Sequence, residues 1–149
     1  MTAAFSAHPD AQIITSFPGL GSILGARLLG EMGDDPSRFQ TARGLKAYAG
    51  TAPVTRASGT KTSVNVRVVR NRRLNHAAYL WALPLIRHST DARAHYDRRR
   101  VKGDSHTAAS RNLVNRHIGM LHHCLHTRQT YDPSKAFAGQ SPSEVPAGT

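Results

Sequence analysis

The chain has 149 residues, enough for one compact domain and too few for two with cores of their own. Twenty Lys plus Arg oppose nine Asp plus Glu, a formal net charge of +11, which makes a polyanion, with nucleic acid foremost, the first candidate partner. No apolar run is long enough to cross a membrane, the N-terminus lacks the charged start and apolar run of a secretory signal, and the single cysteine, Cys124, excludes an internal disulfide; the expected compartment is the cytoplasm.

In chain order, residues 1–12 read as a flexible leader that gives way to a short helix over 10–15, with Ile13 and Ile14 facing inward. Ser16-Phe17-Pro18-Gly19-Leu20-Gly21 is a tight turn. Ile23, Leu24, Arg27, Leu28 and Met32 then have helical spacing, stopped by Gly33. After a second turn over 34–37, residues 39–49 predict a helix with Leu45 and Tyr48 on one side and Gly50 at its end. Residues 51–66 carry no helical period and include Pro53 and Gly59, so an ordered loop or a short hairpin is expected. Residues 74–87 form the clearest helix: Leu74, Ala78, Trp81 and Leu85 make one stripe, with Ala77, Leu80 and Leu83 beside it, and Pro84 kinks it or marks its last turn. A further helix is expected over 91–101, stopped by Gly103. Asp104 or Ser105 then caps a long helix over 106–127, whose Val114, Ile118, Leu121 and Leu125 repeat at helical spacing. From Pro133 onward there is little to bury. The predicted fold is all-α: one helical domain over 13–132 with a helix-hairpin-helix-like start, an ordered serine-bearing loop and long C-terminal helices, then a disordered tail over 133–149.

Charge is unevenly spread along this plan. No acid occurs between Asp35 and Asp91, a window holding Arg38, Arg43, Lys46, Arg56, Lys61, Arg67, Arg70, Arg72, Arg73 and Arg87. Arginine predominates, which suits two-pronged bonding to phosphate. The run Arg67 to Arg73 stands at a helix start, against the helix dipole, a mismatch that phosphates bound there would relieve. A solvated basic face is the plainer alternative.

Two motifs bear on chemistry. At the 16–21 turn, Gly19 and Gly21 let the backbone come close to a phosphate, and the next helix offers free N–H groups and its positive dipole end. Such contacts read no base sequence, and similar turns also serve in ordinary helical hairpins. The second motif sets Ser58 beside Gly59 in a basic, non-helical segment. A serine hydroxyl needs a base or a lowered pKa to act as a nucleophile. Arg56 and Lys61 are suited to stabilising a phosphoryl transition state, yet the segment has no histidine or carboxylate to serve as base. Ser58 is thus a nucleophile candidate without its activator, or a turn serine. His122 and His126, four apart, with His117, His123 and Cys124 near, have the spacing of a metal pair but no intervening carboxylate and no Cys-x-x-Cys; no metal site is assigned.

Taken in order, Phe17-Pro18-Gly19-Leu20-Gly21, Gly33-Asp34 with Phe39, Leu45-Lys46-Ala47-Tyr48-Ala49-Gly50, Pro53, Ser58-Gly59 and Asn71 through Leu74 resemble the C-terminal domain of insertion sequence 110/116/902 family transposases, over residues 13–137. One departure is Arg70, where the family pattern leads to a glycine. The resemblance implies that Ser58 is the serine that attacks the scissile phosphate during transposition. Arg56, Lys61 and Arg67 would bind that phosphate, and Gly19, Gly21, Arg70, Arg72 and Arg73 the nucleic-acid backbone. It also implies a RuvC-like front domain whose acidic residues hold Mg²⁺, a structured guide RNA, and oligomers in which domains of different protomers compose each site. The nine scattered acids here do not make up such a metal site, so the chain by itself is expected to be catalytically incompetent. The alternative is a non-catalytic helix-hairpin-helix fragment that binds DNA or RNA.

Overall fold

The computed structural model describes residues 2–58, 61–66 and 71–137, with side chains described for 4–52 and 71–137. Its helices are α1 (Thr2–Ser6), α2 (Ala11–Thr15), α3 (Ser22–Met32), α4 (Ala42–Ala49), α5 (Arg72–His88), α6 (Thr90–Val101), α7 (His106–Thr127) and α8 (Pro133–Ala136). Between α4 and α5 stand β1 (Pro53–Ser58) and β2 (Lys61–Val66), an antiparallel pair. The fold is therefore all-α with a single described hairpin, and the hairpin is one of the two forms expected for 51–66. Among the described residues no helix is long and apolar enough to cross a membrane.

The helices begin where short polar side chains meet apolar periodicity. Thr41, Asn71, Ser89 and Ser105 each accept a hydrogen bond from the backbone N–H three residues on, at 2.9–3.1 Å, which satisfies one of the free donors of the first turn. This explains why α4 starts at Ala42 and not at Phe39: the cap is Thr41. Gly50 closes α4 in the left-handed conformation at φ 74.

α7 is the central element and packs against α4, α5 and α6. Leu113, Val114, Ile118 and Leu121 meet Leu74, Ala77, Ala78, Trp81 and Leu85 of α5, all almost wholly buried. α5 continues through Pro84 to His88. Leu80 and Leu83, expected beside the buried stripe, are instead exposed, because they share the opposite face with His76 and Arg87. Ile23, in the first turn of α3, is likewise exposed, while Leu28 and Met32 are buried.

The described residues 2–12 and 133–137 are more ordered than expected. Residues 1–12 are not a free leader: α1 carries Phe5 into the core, 5% exposed. Gly25 of α3 makes this possible, since a Cβ there would lie 3.0 Å from both the Phe5 ring and Ile14. The tail expected from Pro133 onward instead begins with α8, capped by Asp132. Tyr131 lies against Phe17 with ring centroids 4.8 Å apart, and Arg116 stacks on Phe137 at 4.8 Å. Residues 138–149 lie outside the described residues.

Candidate nucleic-acid interface and serine site

Polar side chains hold the segments on either side of the hairpin that carries Ser58. Ahead of the hairpin, Thr51 Oγ1 donates to Asn115 Oδ1 of α7 at 3.0 Å, and Asn75 Nδ2 donates to the Ala49 carbonyl at 2.9 Å. At the start of α5, the Asn71 backbone N–H donates to the Tyr48 carbonyl at 2.8 Å. Its side-chain amide donates to Tyr48 Oη at 2.7 Å and to Glu31 Oε2 at 3.3 Å. Arg38 completes the cluster: it donates to Tyr48 Oη at 2.8 Å and to the Met32 carbonyl at 3.0 Å, with its guanidinium over the Tyr48 ring. Hydrogen bonds in such a half-buried network strengthen one another, and losing a member strands its partners. Of this set, the sequence marks Asn71 as a helix opener and Tyr48 as sharing one side of its helix with Leu45; Glu31, Thr51, Asn75 and Asn115 carry no signal, because their contacts join distant segments.

Within the hairpin, Ser58 pairs with Lys61 and Arg56 with Ser63. Directly paired positions share a face, and alternate positions along a strand return to it. Positions 54, 56, 58, 61, 63 and 65 therefore form one face, bearing Arg56, Ser58 and Lys61. The opposite face comprises Pro53, Thr55, Ala57, Thr62, Val64 and Val66, which is largely apolar. The three residues singled out from sequence in this segment thus fall on one side. Arg67 and Arg70 lie outside the described residues, as does Gly59. Arg72 and Arg73 occupy the exposed first turn of α5, a turn with no acidic residue.

The 16–21 turn is built differently from what its glycines suggest. Gly19 has φ +81, and a Cβ there would sit 2.7 Å from Pro84 Cβ and 2.9 Å from the Pro84 carbonyl carbon. Next to it, Trp81 Nε1 donates to the Pro18 carbonyl at 2.9 Å, with Phe17 edge-on to the indole. Gly19 is therefore the residue that lets this turn lie on α5. Gly21 is the exposed N-cap of α3, with open space where a Cβ would be, and it leaves the first amides of α3 without a side-chain cap.

Three histidines of α7, His117, His122 and His126, serve the fold. The His122 ring N–H donates to the Phe39 carbonyl at 2.8 Å, and the His126 ring nitrogens lie against the carbonyls of His122 and Pro36 at 2.9 and 3.1 Å. His117, wholly buried, donates through Nδ1 to the Leu113 carbonyl at 2.9 Å. Burial pushes the Cys124 thiol up, away from the thiolate form a nucleophile or ligand needs.

Residues 11–97 match the model of a family described as transposase IS116/IS110/IS902. Over 135 residues the chain is 58% identical to a mini-circle protein of Streptomyces coelicolor described as a transposase for IS117, which covers 91% of this chain and 33% of that protein. It is 41% identical over 136 residues to the uncharacterized 42 kDa protein of insertion element IS900 from Mycobacterium paratuberculosis, covering 90% of this chain and 34% of that one. Against the uncharacterized 43.6 kDa protein of insertion element IS110 from Streptomyces coelicolor the identity is 35% over 149 residues, covering 99% and 34%. The chain spans about a third of the length of the curated relatives it matches.

Proposed function

The chain belongs to the IS116/IS110/IS902 transposase family, and from that premise we propose that it binds DNA and supplies the serine nucleophile for strand cleavage and rejoining in insertion-sequence transposition. The observation that carries the reading is the register of the hairpin, in which Ser58 stands opposite Lys61 and shares a face with Arg56. A hydroxyl-bearing position thereby shares one face of the hairpin with two cation-bearing ones.

In the cleavage step, Ser58 Oγ bonds to the scissile phosphorus. The bond from phosphorus to the leaving deoxyribose oxygen breaks, that oxygen takes up a proton, and the serine proton passes to a base. Arg56, Lys61 and Arg67 neutralise the charge that builds on the non-bridging oxygens. Rejoining is the reverse: a deoxyribose hydroxyl attacks the serine–phosphate linkage and returns the serine hydroxyl. The exposed start of α3 at Gly21 and the basic positions Arg70, Arg72 and Arg73 hold the strand by its phosphates, while Gly19 acts through the packing of the turn.

The base comes from outside the segment, since no acid and no histidine occurs between Pro36 and Val66. Mg²⁺ does not fit the residues at hand either: among the described residues no group of three or more His, Cys, Asp or Glu is placed to hold a metal. Both therefore belong, in this proposal, to a RuvC-like domain of the same or a second chain, in a homo-oligomer guided by a structured RNA.

The test is to incubate the chain with a supplied RuvC-like domain and DNA carrying element ends, and to look for protein–DNA adducts on denaturing gels. Adducts are expected with the parent chain and not with Ser58→Ala. Adducts that persist at an unchanged level in Ser58→Ala remove this serine from the mechanism. Salt-sensitive binding with no adduct under any condition assigns the chain to strand binding alone.

A further inference from the structure

A cleft of about 1140 Å³ runs between α2, α4, α7 and the segment leading through α8. Its charged lining is mainly cationic: Lys46 of α4, Arg116 of α7, Arg128, and Lys135 of α8. The one carboxylate among the lining residues, Asp132, is engaged as the cap of α8, accepting from the Ser134 backbone N–H at 2.9 Å and its hydroxyl at 2.6 Å. Arg128 is spent on Asp10. Lys46, Arg116 and Lys135 form no ion pair among the described residues.

Two of these cations are positioned by the fold and do not swing freely in solvent. Lys46 lies across α7 at Gly119, where a Cβ would come within 2.9 Å of its Cε and 3.1 Å of its Nζ. Arg116 donates to the Ala136 carbonyl at 3.1 Å and rests on the Phe137 ring. Lys46, Arg116 and Lys135 outnumber the one lining carboxylate, Asp132, and the charge they leave unbalanced along one open cleft costs electrostatic energy that a polyanion would recover. The cleft is long enough to draw these cations from α4, α7 and α8, which suits a chain of phosphates.

We infer that this cleft binds the phosphodiester backbone of a nucleic-acid strand, as a second contact separate from the serine hairpin. The inference rests on the nucleic-acid reading above but on different residues. Its recognition is of charge and spacing, so a DNA strand and an RNA strand both satisfy it.

The experiment measures anisotropy of labelled single-stranded DNA, of the RNA of the same sequence, and of an acidic peptide of equal charge, titrated with the full chain over a salt series. The variants are Lys46→Gln with Lys135→Gln, then Gly119→Ala, then Arg72→Gln with Arg73→Gln as the hairpin-side reference. Unchanged circular dichroism and urea midpoints show that each is folded. The Lys46 and Lys135 pair is expected to weaken strand binding by roughly twentyfold near 0.1 M salt and to flatten the logarithmic salt slope by about 1.4, as loss of two single-strand phosphate contacts requires. Gly119→Ala keeps every charge but displaces the Lys46 amine, and a several-fold loss is expected. Loss for DNA, for RNA or for both supports the cleft and says which backbone it holds. If affinity and slope stay unchanged in the Lys46 and Lys135 pair while the Arg72 and Arg73 pair weakens binding, the cleft inference falls and the function proposed above stands. If neither pair matters, the cleft inference falls together with the strand-binding role of Arg72 and Arg73, and the serine chemistry is left to its own adduct test. Binding of the acidic peptide that depends on Lys46 and Lys135, without such dependence for either strand, overturns it as well.

Discussion

Gly19 carries two constraints at once, a positive φ of +81 and an approach to Pro84 that no side chain tolerates. An alanine there must both adopt strained backbone and push the turn off α5, breaking the Trp81–Pro18 hydrogen bond. Gly19→Ala is expected to lower unfolding stability by about 2–4 kcal/mol, the sum of a left-handed penalty and overpacking. Gly21→Ala, which meets open space, should stay within about 1 kcal/mol. Urea midpoints of the two variants check this; equal midpoints would mean that the turn does not depend on its contact with α5. Asn71 offers a second test, because its carbonyl caps α5 while its amide holds Tyr48 of α4. Asn71→Ala is expected to cost about 1–2 kcal/mol. Asn71→Ser keeps a capping oxygen but not the reach to Tyr48. It should recover most of that stability while amide exchange in β1 and β2 stays faster than in the parent. Serine restoring both would confine Asn71 to capping.

Among the elements, α7 sets the acid limit of the fold. His117 is wholly buried against Trp81 and Leu113, and burial holds its pKa at about 4, well below the usual 6.5. His95 is lowered too, first by burial, although its bond to Asn112 opposes this. The unfolded chain therefore binds protons that the folded one refuses between pH 6.5 and 4. Stability is full above that window, falls through it by about 3 kcal/mol from His117 alone, and loses nothing more from this group below it. Urea unfolding at pH 7, 5.5 and 4.5 should show the decline, and a folded His117→Leu should flatten it. A slope unaltered in that variant would assign the acid sensitivity elsewhere. The same helix shows what sequence makes legible. Ser105, the period through Val114, Ile118 and Leu121, and the stop near Thr127 are all local signals, and α5, α6 and α7 follow from such signals. Gly19 could be read as a turn residue but not as a packing residue, because its partners stand some sixty residues further on, as Trp81 does from Pro18. Phe5 as core, and Phe137 as the platform for Arg116, have no sequence signal for a related reason: one isolated aromatic has no period, and only the receiving surface shows what it packs against.

At the scale of the whole molecule, twenty Lys plus Arg exceed nine Asp plus Glu by eleven, and the arginines ion-paired with aspartates among the described residues are Arg93, Arg99 and Arg128, with Asp97, Asp104 and Asp10. Most cations therefore repel one another across the fold. Salt screens such repulsion, with a Debye length shrinking from about 30 Å at 0.01 M to about 3 Å at 1 M. The thermal midpoint of the free chain is accordingly expected to rise with NaCl. A bound strand removes the same repulsion by neutralising it, and at a hundredfold excess over its dissociation constant stabilises by about 2.7 kcal/mol, roughly 5–10 °C for a chain of this size. That increment must shrink as salt rises, because counterions compete for the same sites. Differential scanning fluorimetry with and without an oligonucleotide over one salt series measures both trends. The two must run in opposite directions if one surplus of positive charge both strains the free chain and gathers the strand. An increment that stays constant with salt would mean that the strand is held by contacts other than phosphate, and the charge-based account of this molecule would not survive it.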